Sequence, residues 1–123
     1  MTPILTDFDE WIARAHRETG DFTMLFILLR VTDTTAEPLR WAWLHVMGAE
    51  TRWPDMMETF AGSGVPWSAA VFFRAGREGL VPDNEARARV AALARRMHED
   101  RTLIRDGEFY NAAGLRLRLD DRP

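Results

Sequence analysis

RWAWLHVM, residues 40–47, admits two backbones, and each leads to a different molecule. Extended, it puts Trp41, Trp43, His45 and Met47 on one face and Ala42, Leu44 and Val46 on the other, because side chains alternate along a strand. Coiled, it has a workable frame too, with Thr35 as cap, Pro38 in the first turn and Gly48 as the stop. A helix, however, swings the Trp41 and Trp43 rings about 200° apart and leaves one of them off any apolar face. The extended reading is preferred, with the helix as its competitor.

As a strand, this segment is greasy on two sides. Leaving one indole bare forfeits roughly 4 to 6 kcal/mol, taking about 200 Å² at about 25 cal/mol/Å² as an upper figure. Whole-domain stability is only about 5 to 15 kcal/mol. A cover over each face is therefore expected. For the Trp41/Trp43 face it is the protein's own helices, a second subunit, or a ligand in an aromatic pocket. His45 separates these readings: neutral and hydrogen-bonded in a sealed core, free to titrate in a pocket.

Working outward, FTMLFILLRV (22–31) has apolar residues at both parities, which suits a strand covered on two faces or a short buried helix. WSAAVFF (67–73) reads as another buried strand. Upstream, TDFDEWIARAHRETG (6–20) predicts a helix: Thr6 caps it, Asp7, Asp9 and Glu10 suit its positive end, and Gly20 stops it. Phe8, Trp11, Ile12 and Ala15 form its apolar face. WPDMMETFAGSG (53–64) predicts a second helix, with Pro54 in the first turn and Gly62 closing it. PDNEARARVAALARRMHED (82–100) predicts a third, capped by Asp83, with Ala86, Val90, Leu93 and Met97 turned inward. In the tail, Leu115, Leu117 and Leu119 alternate with Arg116 and Arg118, the pattern of a strand with one wet face.

The order α-β-β-α-β-α-β-β predicts an α+β fold: one small domain over residues 1–123, with three helices and a mixed, mainly antiparallel sheet of about five strands. Composition narrows the chemistry. The formal charge is −3, there is no cysteine, and none of the 16 basic residues is lysine. Thiolate metal sites, cysteine nucleophiles, Schiff-base lysines and lysine-dependent phosphate loops are excluded. The acidic N-terminus lacks the basic start of a signal peptide, and the apolar run at 22–29 is far short of the roughly 20 residues that span a bilayer. A cytoplasmic location is the expectation.

Candidate sites are sparse. His45, Glu50 and Asp55 are the types acid–base catalysis needs, but their spacing matches no triad or metal signature. His98-Glu99-Asp100 ends the third helix, where a histidine suits the dipole better than a metal. GSG at 62–64 follows a helix instead of opening one and reads as a helix stop. Arg87, Arg95, Arg96, Arg116 and Arg118 form an anion-binding surface if the long helix lies beside the last strand, although interleaved acids favour a solvated charged face.

The expected function is a non-enzymatic binding module that pairs with itself as a homodimer, or with another protein, through the face of Trp41, Trp43 and His45. The alternative is a small-molecule-binding protein or enzyme with those three residues as its pocket. No cofactor or metal is called for, and nucleic acid and membrane are disfavoured as partners.

Overall fold

The structure, a computed structural model, describes residues 5–48, 50–76 and 79–118. The 40–47 segment is extended. It belongs to β2 (Ala36–Val46), which pairs antiparallel with β1 (Phe22–Val31) across a tight turn closed by the Thr32 N–H on the Thr35 carbonyl, 2.9 Å. β1 pairs on its other side with β3 (Ala69–Arg74), and β3 with β4 (Glu108–Asn111). The described sheet thus runs β2-β1-β3-β4, antiparallel throughout.

β1 is the central girder, with eight consecutive buried residues. Alternation sends Phe22, Met24, Phe26 and Leu28 to one face, against α1 (Asp7–Thr19) and α2 (Trp53–Ala61). Leu25, Ile27 and Leu29 go to the other face, against α3 (Asp83–Glu99). The three helices therefore divide two to one, and both faces are covered. The α+β expectation is met, in a sheet of four described strands and three α-helices.

The first helix begins as its sequence predicts. The Thr6 hydroxyl accepts the Asp9 N–H at 3.1 Å, and the Asp9 carboxylate accepts the Thr6 N–H at 2.9 Å. Asp9 is buried and does more, since its second oxygen accepts the Trp53 N–H at 2.7 Å. One carboxylate thereby satisfies the free amide ends of two helices on the same sheet face. At α3 the expectation shifts by one residue. Pro82 stands at the cap, and Asp83, the first helical residue, spends its carboxylate elsewhere. The inward stripe of α3 is Ala86, Val90, Ala94 and Met97, with Leu93 half-buried beside it.

The tail expected as a fifth strand reaches only one bridge, Tyr110 to Arg116, and Leu119 lies outside the described residues. The reason is a competing acceptor: Asp7 takes the Arg116 N–H at 2.7 Å and turns the backbone toward α1. The tail still seals the β4 side, because the Leu117 N–H donates to the Phe109 carbonyl at 2.8 Å. The outer edge of β2 has no such cover among the described residues.

Gly114 sits at φ +77 with its Cα against the Trp53 ring; a Cβ there lies 2.8 Å from Trp53 Cγ. Gly64 has a similar φ of +73 but open space around it. Gly114→Ala should cost about 3 kcal/mol or more, from backbone strain plus overpacking, and Gly64→Ala about 1 kcal/mol from strain alone. Urea unfolding of the two variants checks the difference.

Candidate functional site

The two tryptophans have different fates. Both face α3, but the helix starts above Trp43 and ends beyond Trp41. Trp43 is half-buried, while Trp41 keeps 43% of its surface exposed. Asp83, in the first turn of α3, binds the aromatic strand directly. Its Oδ1 accepts the Trp43 indole N–H at 2.9 Å and lies 2.6 Å from His45 Nε2. One turn on, the Arg87 guanidinium stands over the Trp43 ring, 5.3 Å from its centroid.

His45 is held from its other side as well. Its Nδ1 is 2.9 Å from the hydroxyl of Thr23, the residue opposite it on β1. That hydroxyl oxygen accepts the Val81 N–H at 2.9 Å, and its proton has two acceptors in reach, His45 Nδ1 and, at 3.4 Å, the Val81 carbonyl. Donation over the shorter path gives a chain from Thr23 through His45 Nδ1, with the Nε2 proton directed at Asp83.

Hydroxyl, imidazole and carboxylate in this order are the parts of a nucleophilic triad. Burial argues for another use. Thr23 is fully buried and its oxygen is bonded to Val81, so no reacting carbonyl can come within attack distance. The three groups instead pin β1, β2 and the start of α3 to one another. Thr23, the one polar residue in the run FTMLFILL, is the sequence signal for this clasp.

Electrostatics fit a clasp. The Trp43 N–H, then the His45 hydrogen bond, hold the Asp83 carboxyl below the usual carboxylate range, aided by the charge of Arg87. A similar pairing lies just past the same end of β2. Asp21 accepts the Gly48 N–H at 2.8 Å and meets His16 Nε2 at 3.0 Å, and those bonds lower its pKa in the same order.

The other candidate residues scatter. Asp55 sits on α2, on the opposite sheet face from His45, and accepts the Arg52 N–H at 2.9 Å; Glu50 is exposed. Among the arginines, Arg87 stands over Trp43, and Arg95 lines a cleft together with Trp41. Arg96 is exposed on α3. Arg116 and Arg118 share a cleft at the β4 edge, where Arg116 bonds Glu108 at 2.8 Å. β1 and β3 separate the two groups, so the long helix does not lie beside the last segment.

Among the described residues, no group of three His, Asp or Glu is placed to hold a metal ion. No described helix is long and apolar enough to cross a membrane. No family model, curated protein or solved structure matches the chain.

A carboxyl with a lowered folded-state pKa contributes stability that is complete above its unfolded value, about pH 4, and fades as pH falls through the folded value. Asp83→Asn should therefore destabilise the protein at about pH 7, with the gap to wild type narrowing toward about pH 2. Paired urea titrations at the two pH values check this. The Trp43 indole N–H resonance, once freed from Asp83, should also move upfield.

Proposed function

We propose that the chain is a self-associating binding module whose contact is the free edge of β2, joined antiparallel to β2 of a second copy. The observation that carries this reading is the spacing of the exposed apolar residues at that edge. Trp41, Leu44 and Met47 are 43%, 38% and 60% exposed. They are evenly spaced, so a two-fold axis through Leu44 matches each with an apolar partner. Leu44 meets Leu44 of the second copy, and Trp41 meets Met47 twice over.

Parity supports the same register. Trp41 falls on the α3 face and Leu44 on the α1/α2 face, and continuing the strand by one residue gives Met47 the parity of Trp41, so opposed residues share a side in every pair. Isologous two-fold contacts are the commonest assembly of soluble chains. The edge is also unevenly guarded. Pro38 and the irregularity that skips Leu39 protect the first part of β2, whereas residues 41–46 carry neither proline nor bulge. The pairing extends each four-stranded sheet into one of eight.

This modifies the aromatic-face reading without abandoning it. Trp43 and His45 are engaged by Asp83, which also counts against a pocket built from Trp41, Trp43 and His45. Trp41 is the indole left for a partner.

The absence of cysteine makes the register testable. Residues facing each other across an antiparallel pair have Cα atoms about 4.5 to 5.5 Å apart, within disulfide range. Under mild oxidation Leu44→Cys should become a covalent dimer, while Arg40→Cys, far from its own copy in this register, should not. Leu44→Arg should raise the dimer dissociation constant roughly 100-fold, about 2.7 kcal/mol, by placing two like charges face to face. Light scattering that finds wild type monomeric at its highest soluble concentration overturns the proposal.

A further inference from the structure

The same strand borders a groove that shares Trp41 with the dimer contact but otherwise lies outside it. One cleft of about 240 Å³ lies between the first half of β2 and the last turns of α3, lined by Pro38, Trp41, Ala94, Arg95, His98 and Glu99. A second, of about 360 Å³, continues from His98 and Glu99 toward Thr34–Glu37 on the β1–β2 turn.

The chemistry along it is uneven. Trp41, Pro38 and Ala94 give a flat apolar wall. Beside it in the same cleft, Arg95 has no ion pair or hydrogen bond among the described residues, and the Trp41 indole N–H has no acceptor among them. Glu99 is four residues beyond Arg95 on the helix, yet the two do not form a salt bridge. Arginine preceding glutamate is the weaker order for such a pair, since it opposes the helix dipole. His98 adds a ring N–H donor in either protonation state. Glu99 lines both clefts and disfavours a second negative charge on a ligand, while the second cleft has both Glu37 and Arg101 in its lining and is mixed in sign.

We propose that this groove binds a small planar monocarboxylate, its ring laid on Trp41 and Pro38 and its carboxylate taken by the fork of Arg95. Arginine recognises a carboxylate through two parallel N–H donors, and an apolar wall beside it screens that pair from water. The inference does not rest on dimerisation.

Benzoate is the probe, and benzamide its uncharged counterpart. In a Leu44→Arg background, which leaves the groove intact, benzoate should saturably shift the ¹⁵N-labelled Trp41 indole N–H and the Arg95 side-chain resonance. Benzamide should bind at least tenfold more weakly. Arg95→Ala, at an exposed position, should weaken benzoate at least tenfold, and Arg96→Ala, one residue outside the groove, should leave it unchanged. Equal binding of benzamide, an unaltered affinity in Arg95→Ala, or no benzoate shift at tens of millimolar overturns the assignment. Dimerisation is read separately, from the wild-type chain, so the two proposals fail independently.

Discussion

A strand buried on both faces cannot stand at the surface of a small protein, and β1 imposes that condition on everything around it. Its eight buried residues alternate between two hydrophobic clusters. Each cluster needs its own helical layer and flanking strands to exclude water from the edges. The aromatic mass gathers on one side, where Phe8, Trp53, Phe60, Phe72 and Tyr110 lie ring against ring. The other side is finer grained, with Ala86, Val90 and Ala94 letting a single helix come close to the sheet.

That close approach explains why the start of α3 carries so many bonds. A helix with a shallow apolar stripe slides easily along a sheet unless something fixes its position. Asp83, joined to Trp43 and His45, supplies the fix at one end, and Thr23 joined to Val81 anchors the chain leading into it. The groups resemble catalytic parts because catalysis and positioning both need directed hydrogen bonds. What distinguishes them here is access: a hydroxyl sealed under a strand and bonded to the backbone holds parts together and reacts with nothing.

Much of this was legible in the residue order. Period-two alternation at 40–47 favoured a strand, the doubly apolar run at 22–29 fitted a buried strand or a short buried helix alike, and Thr6, Pro54 and Gly62 bounded the helices. The partnership of Asp83 was not legible, since some 40 residues separate it from Trp43 and His45, and an aspartate at a helix start looks like a cap. Neither was the difference between the two indoles: Asp83 bonds the Trp43 N–H, whereas a cleft lies between Trp41 and the last turns of α3. The Leu-Arg alternation at 115–119 misled in a specific way: a pattern of period two states which faces are wet, but not whether a neighbouring strand has a free ladder. There the Asp7 carboxylate captured the backbone amide first.

The first turn of α1 is completed by the segment around residues 114–116. Phe8 N–H donates to the Gly114 carbonyl, Asp7 accepts from Arg116, and the Trp53 indole N–H donates to Ala112. During synthesis, then, α1 emerges long before these partners do. The bond from Arg116 to Asp7 closes a loop of 109 residues, so the first turn of α1 is finished by contacts of the longest range in the described fold.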